Sequence, residues 1–265
     1  MEISVVIPTY NRAHTIEKAV GSVQNQSYPV SEIIVVDDAS TDDTEKVVLA
    51  IDDDRIRYYK QEENRGAAAA RNKGVSLARF PFIAFHDSDD EWRFDKIKKQ
   101  VACIEANREY RLVYTAYVRH FGTADVVVPD LDAGVKLEGS ILPEILFQNS
   151  VGTCTVLMEK ALFENIGGFD ESFRSLEDWD MIIRASKQSG FGFVPEVLVD
   201  AAFSEDGITA DMGSYYQARC YMLRKYREEY LSTGTFDKTI ESILSRAQKD
   251  NVFEPVKNMM LSYMS

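Results

Sequence analysis

Over the first hundred residues, short apolar runs alternate with stretches of helical period. Residues 3–7 form an apolar run closed by Pro8, and Ile16, Val20 and Val23 then recur at helical spacing. Residues 33–36 form a second run, closed by Asp37-Asp38, with Val47, Val48 and Ile51 on a helix after it. Residues 56–59 predict a third strand, the alanine-rich 67–77 a helix, and 82–85 a fourth strand ending in His86-Asp87-Ser88-Asp89-Asp90. Unbroken apolar strands alternating with helices imply parallel strands covered on both faces, an α/β sheet.

The second half is more mixed. Residues 112–117 and 126–128 predict strands, read as one antiparallel excursion, and 155–158 another strand followed by a short helix and the turn Gly167-Gly168-Phe169-Asp170. Residues 181–185 sit in a helix and 197–203 form a last strand. Beyond Asp211 the pattern is helical. Phe236, Ile240, Ile243, Leu244 and Ala247 make one stripe, and Val256, Met259, Met260 and Tyr263 another. Charge changes at the same place: residues 1–211 hold 37 acidic and 22 basic side chains, whereas 212–265 hold 6 and 8. A boundary near Asp211 is therefore expected.

The net charge of −13 argues against nucleic acid as a partner, because phosphate binding needs clustered Lys and Arg. No stretch approaches a membrane span, and the N-terminal run lacks the basic region of a secretory signal. Cys103, Cys154 and Cys220 are odd in number and far apart, which predicts free thiols in a reducing compartment, the cytoplasm by default.

In open α/β sheets, ligands bind beyond the carboxyl ends of the strands. Strand one ends in Pro8-Thr9-Tyr10-Asn11, strand two in Asp37-Asp38, and strand four in Asp87-Ser88-Asp89-Asp90, so carboxylates converge on one edge. Neither common glycine-rich phosphate cradle is present. Asp-x-Asp alone decides nothing, since 22 aspartates give about two such pairs by chance and the chain has four. Asp52-Asp53-Asp54 and Asp130-Leu131-Asp132 read as solvated turns. Asp87-Ser88-Asp89 follows an apolar strand, where clustered carboxylates repel and a divalent cation such as Mg²⁺ or Mn²⁺ relieves them. Asp37-Asp38 can serve the dipole of the next helix, or accept the N3–H of uracil or thymine, a donor that cytosine lacks. His14, His86 and His120 are scattered without metal-ligand spacing and read as structural, although His86 lies close to the acidic turn. Ser175-Leu176-Glu177-Asp178-Trp179-Asp180 reads by itself as an acidic helix start.

Taken together these segments resemble glycosyltransferase family 2, the inverting enzymes of the GT-A fold. The matching residues are Val5-Val6-Ile7-Pro8-Thr9-Tyr10-Asn11-Arg12, Ile34 through Asp42, Asn64-Arg65-Gly66 with Ala70-Arg71-Asn72, and Asp87 through Trp92. Gly167-Gly168-Phe169-Asp170-Glu171 and Glu177-Asp178-Trp179-Asp180 complete the set, which covers roughly residues 1 to 205. The resemblance implies a GT-A domain over 1–211, with a nucleotide-binding half to about 110 and an acceptor-binding half from 111, and a helical extension over 212–265. It implies that Pro8, Thr9, Tyr10 and Asp38 line the nucleoside pocket, with Asp38 on uracil, and that Arg71 lies near the nucleotide or the acidic cluster. Asp87, Ser88 and Asp89 would meet the donor, with Asp89 and Asp87 holding Mn²⁺ or Mg²⁺. Asp178 would be the catalytic base, and Glu177 and Trp179 would shape the acceptor side.

The expected reaction moves one sugar from a UDP-sugar to a saccharide or lipid-linked saccharide acceptor, in the assembly of cell-surface polysaccharide or glycoconjugate. The Gln-x-x-Arg-Trp motif of processive synthases is missing, and no His after His120 can supply the late metal ligand of many GT-A enzymes. The rivals are a sugar nucleotidyltransferase, which needs a glycine- and arginine-rich loop after strand one, and a non-catalytic nucleotide- or saccharide-binding module. For the helical extension two uses are open: packing on the catalytic domain or a second subunit, or peripheral contact with the anionic inner membrane face.

Overall fold

The computed structural model describes residues 1–121, 124–202 and 211–264. Strand β1 (Ile3–Thr9) is followed by helix α1 (Ile16–Gln24), β2 (Glu32–Asp37), α2 (Thr44–Leu49), β3 (Ile56–Lys60), α3 (Gly66–Leu77) and β4 (Phe82–Phe85). Next come β5 (Glu91–Trp92), α4 (Lys96–Ala106), β6 (Tyr110–Phe121), β7 (Ala124–Val128) and α5 (Leu142–Phe147). A 3-10 turn at Thr153–Thr155 leads to β8 (Leu157–Glu159), α6 (Lys160–Asn165), α7 (Glu177–Ser186) and β9 (Gly190–Ala202). Helices α8 (Met212–Lys225), α9 (Arg227–Ser232), α10 (Phe236–Lys249) and α11 (Phe253–Met264) close the chain.

Among the described residues the strands form one nine-stranded sheet in the order β3-β2-β1-β4-β8-β6-β9-β5, with β7 on the far side of β6. Strands β1, β2, β3, β4, β6 and β9 run in one direction, and β8 is the antiparallel link between the two parallel groups. The apolar runs are buried on both faces because the period of two sends alternate residues into two cores. Val6, Ile34 and Val36 join one cluster with α3 and α7, whereas Val5, Ile7, Ile33 and Val35 join another with α1 and α4. The chain moves outward from β1 through β2 to β3 and returns to β4 on the other side of β1. That reversal opens a crevice at the carboxyl ends of β1 and β4, where Thr9 and Asp87 lie.

The expected strands and helices are present, with differences that have causes. β6 and β9 extend beyond their apolar centres because they pair with each other over most of their lengths, and Phe203 lies outside the described residues. An antiparallel pair forms, but between 117–121 and 124–128, so that of the 112–117 segment only Tyr117 joins it and the rest pairs β8 and β9. Thr155 belongs to the 3-10 turn instead of strand β8. Helix α4 escapes the sequence pattern because Lys96 and Gln100 occupy its buried face beside Ile97, Val101 and Ile104. The stripes of the C-terminal helices turn inward: Phe236, Ile243, Ala247, Val256 and Met260 share a core cluster with Trp179, Ile182 and Ile183 of α7. Much of the apolar stripe is thus covered by the body of the molecule, while Met212, Leu231, Leu261 and Met264 stay exposed. Among the described residues no helix is long and apolar enough to cross a membrane.

Helix α3 lies unusually close to the sheet. A Cβ at Gly74 would stand 2.3 Å from Val6 Cγ1 and 3.3 Å from Val36 Cγ2. The close approach sets the depth of Arg71, one turn earlier on the same helix. Gly74→Ala should therefore destabilise the fold by about 1–3 kcal/mol through overpacking, although alanine is the better helix former. Chemical denaturation reads this directly, and a stabilised Gly74→Ala protein would show that the helix can move outward freely.

Candidate active site

Arg71 occupies the centre of the strand-end crevice. Its Nη2 donates to Asp87 Oδ1 at 2.7 Å and its Nη1 to Glu177 Oε1 at 3.1 Å, with only 9% of the side chain exposed. The guanidinium also lies 5.5 Å from the Phe169 ring centre. Burial opposes its charge, but Asp87 and Glu177 outweigh burial and raise its pKa. One cation thus ties the end of β4 to the start of α7. Its neighbour Asn72 brackets Phe169, accepting from its N–H at 2.9 Å and donating to its C=O at 2.9 Å. The Gly167-Gly168 turn has φ of 82° and 70°, backbone that glycine adopts without steric cost.

On the other side of Arg71 the acidic turn is crowded. Asp89 Oδ2 pairs with Arg12 at 3.4 Å, yet burial and the charge of Asp87 raise its pKa. Asp90, 7% exposed, is pushed up to about 8 by burial and by Asp87. Ligand atoms of Asp87, Asp90 and Cys154 all lie within 4.8 Å of one another. Burial, then Asp90, raises the Cys154 thiol well above its ordinary value. Such mutual repulsion fits a site completed by a cation, and the carboxylates supply the hard oxygen donors that Mg²⁺ or Mn²⁺ takes. His86 is fully buried, and burial lowers it to about 3, so it stays neutral beside Ser22 and the Trp92 ring.

The nucleoside side is built by two loops stitched together. Asn11 N–H donates to Ser40 Oγ, Thr41 N–H to Asn11 Oδ1, and Asp38 N–H to Thr9 C=O. Asp37 is fully buried, accepting from Ser40 N–H and from Tyr58 OH. Asp38, 3% exposed, accepts from Gln61 Nε2 at 2.5 Å, Arg65 N–H at 2.8 Å and Gly66 N–H at 2.7 Å. It therefore anchors the N-terminus of α3, and one lone pair of Oδ2 remains. Pro8 and Ser88 are buried, Thr9 Oγ1 is buried without a partner, and Tyr10 is 44% exposed. Arg71 Nε and His86 Nδ1 are also unpartnered. Unsatisfied buried groups are uncommon, and these gather around the strand ends.

Asp178 lies in the first turn of α7. Its Oδ1 accepts the Trp179 N–H at 2.7 Å and its Oδ2 sits 3.4 Å from Asn149 Nδ2. Burial first and Glu177 second raise it to about 6, against the pull of Trp179 N–H, Arg71 and Arg119. Trp179 is not brought to the crevice surface. It is 6% exposed, with Nε1 donating to Ile145 C=O at 2.6 Å and Arg219 stacked at 3.9 Å, because its face of α7 packs inward. Asp180 is fully buried and accepts from Arg184, Lys225 and Tyr226, which gives it a structural role.

The sequence reading had not singled out Asp90, Cys154, Asn149, Arg119 or Arg12 for the site. Asp90 and Arg12 lay inside quoted motifs, but nothing in the chain's order marks Cys154 or Asn149 as neighbours of the acidic residues. A surface cavity of about 390 Å³ is lined by Gly167, Asp170, Arg184 and Lys225, without any residue of the acidic turn. Its cations already pair with Asp170 and Asp180.

Known proteins resemble this chain in sequence and in fold. An uncharacterized glycosyltransferase of Rickettsia bellii (strain RML369-C) is 32% identical over 209 residues, 78% of this chain and 30% of that protein. The chain spans about a third of the length of the first curated relatives it matches. The amylovoran biosynthesis glycosyltransferase AmsB of Erwinia amylovora is 31% identical over 205 residues, 73% of this chain and 66% of AmsB. S. aureus TarS 1–349, solved with UDP-GlcNAc, superposes with a TM-score of 0.74 at 23% identity, over 93% of this chain and 72% of that one. The mannosyltransferase PcManGT from Pyrobaculum calidifontis, solved with GDP-Man and Mn²⁺, gives 0.66 at 19% identity, over 94% and 75%. At such identity the two structures establish the shared GT-A-like fold alone. Residues 4–162, more than half the chain, match the sequence model described as "Glycosyl transferase family 2". The chain belongs to glycosyl transferase family 2.

Proposed function

We propose that this chain is a metal-assisted, inverting glycosyltransferase that moves a single sugar from a UDP-sugar to an acceptor hydroxyl. The observation that carries the reading is the bridge through Arg71, which sets the acidic turn opposite Asp178 across one crevice. In the reaction the acceptor oxygen bonds to the anomeric carbon as the bond to the diphosphate breaks, and the hydroxyl proton passes to Asp178. Asp87 and Asp89 would hold Mn²⁺ or Mg²⁺, which would neutralise charge developing on the leaving diphosphate. Glu177 is held by Arg71, and its charge keeps Asp178 basic. Thr9, Tyr10 and Asp38 would receive the nucleoside.

UDP-GlcNAc bound to TarS and GDP-Man bound to PcManGT support a nucleotide-sugar substrate, and Mn²⁺ in PcManGT supports the cation. AmsB's naming supports polysaccharide biosynthesis, with a saccharide or lipid-linked saccharide as acceptor. The three free cysteines suit a reducing compartment. In this reading residues 1–211 carry donor and acceptor sites, and the helices beyond them buttress α7.

Three measurements test it. Asp38, an acceptor only when ionised, should favour UDP over CDP, so UDP should raise the melting temperature more than CDP. Asp38→Asn should narrow that difference, and equal shifts by the two nucleotides in the unaltered protein would remove Asp38 from the uracil.

The cation has a readout apart from turnover. Mn²⁺ should strengthen the UDP-induced thermal shift, and Asp89→Ala should abolish that increment while the protein stays folded. Sugar transfer should stop in chelator, and full transfer in excess chelator would overturn the metal assignment.

Asp178 must be ionised to act. Its pKa is raised to about 6, so the active carboxylate forms as pH rises through that value. Turnover should climb about tenfold per pH unit below pH 6 and level off above it. Asp178→Asn should lower turnover about a hundredfold or more with UDP affinity little changed. Retained transfer in Asp178→Asn, with loss in Glu177→Gln, would move the base to Glu177.

A further inference from the structure

Helix α8 supplies a buried cation that the preceding reading does not use. Arg219 is 2% exposed, its Nε and Nη1 have no hydrogen-bond partner, and its Nη2 reaches Phe147 C=O only at 3.5 Å. A buried guanidinium left so poorly paired costs the fold more than an apolar residue of its size would. It also meets the Tyr230 hydroxyl, and its Cζ stands 3.9 Å from the centre of the Trp179 ring. A desolvated cation over an indole face is the strongest form of that attraction.

Trp179 follows Asp178 directly, and its backbone N–H holds Asp178 Oδ1 at 2.7 Å. Its indole N–H is bonded to Ile145 C=O at 2.6 Å, so the ring is fixed at one edge by α5 and on one face by Arg219. The next residue, Asp180, is gripped by the same helix through Lys225 Nζ at 2.6 Å and is bonded to Tyr226 OH at 2.5 Å. The first turn of α7 is also held by Arg71 on Glu177 and by Arg184 on Asp180, but neither touches Trp179. The N-cap of the helix, Leu176, has a φ of 64° and makes no side-chain cap bond. The placement of Asp178 therefore depends in part on what the C-terminal helices hold.

We propose that Arg219 is a positioning residue for the transfer step, which by stacking on Trp179 fixes the first turn of α7 and keeps the Asp178 carboxylate aligned on the acceptor oxygen. This rests on Asp178 being the base. It assigns the C-terminal extension a part in the chemistry beyond covering apolar surface. A displacement of about 1 Å at a reacting group can cost about a hundredfold in rate, so a modest loosening of Trp179 is enough to be seen.

UDP release from UDP-GlcNAc with water as acceptor, measured on the full chain, probes the base without an identified acceptor. Arg219→Gln should lower kcat about tenfold or more while the KM for UDP-GlcNAc stays within about twofold, and Arg219→Lys, which keeps a cation over the ring, should recover most of the loss. In an Asp178→Asn background, Arg219→Gln should cause no further loss, because a residue that acts through Asp178 has nothing left to position. An equal additional loss in that background, or unchanged kcat in Arg219→Gln, overturns the proposal. A second measurement needs no turnover. In a Trp92→Phe background the fluorescence of Trp179 should report the ionisation of its neighbour Asp178. The midpoint should persist in Arg219→Lys and move in Arg219→Gln, and an unmoved midpoint also overturns the proposal. Normal UDP release by Asp178→Asn itself would instead sink the assignment of the base.

Discussion

The Arg71 guanidinium is the interaction on which the rest of the site depends. It joins Asp87 to Glu177, residues 90 positions apart in the chain, and shields two carboxylates that would otherwise repel across the crevice. Leaving one partner of such a buried pair uncompensated typically costs about 3–5 kcal/mol, so neither strand end nor helix start can shift alone. The depth of Arg71 follows in turn from the close seating of α3 on β1 and β2, which Gly74 permits. A packing constraint in the sheet is thereby converted into the width of the crevice.

The electrostatics on the two sides of Arg71 differ in a useful way. In the acidic turn burial first, and the charge of Asp87 second, raises Asp89 and Asp90. Carboxyls desolvated and set side by side in this way are held as anions more easily beside a cation. At the start of α7 Asp178 is raised to about 6, a value at which a carboxylate can accept a proton and is still ionised at neutral pH. Nearby, burial lowers Lys96 to about 7 and keeps His86 neutral, so the fixed positive charge at the turn comes from Arg71 and Arg12.

The C-terminal helices extend the same logic. Lys225 bridges Asp170 of the Gly-Gly-Phe-Asp turn and Asp180 of α7, and Tyr226 adds a second bond to Asp180. These contacts bind the turn, the base helix and the extension into one unit with a continuous core. Family-like motifs that read as a list in sequence therefore divide by role: Asp87, Glu177 and Asp178 line the crevice, while Asn72, Trp179 and Asp180 hold the parts that line it.

The sequence by itself determined the parallel strands, because runs such as Val5-Val6-Ile7 and Ile33-Ile34-Val35-Val36 leave no polar face for solvent. It also determined that carboxylates collect at the strand ends, since each run terminates in the residues that turn the chain there. Helix α4 was hidden because a buried Lys96 and Gln100 look solvated in sequence. The helical stripes beyond Asp211 were visible, but periodicity states that a face is apolar and not what covers it. Only the tertiary structure decided that the stripes close on α7, that Trp179 turns inward, that Asp38 anchors α3, and that Cys154 meets Asp87 and Asp90. Those outcomes depend on contacts between residues far apart in the chain, whose energies are set by packing and desolvation that no local pattern encodes.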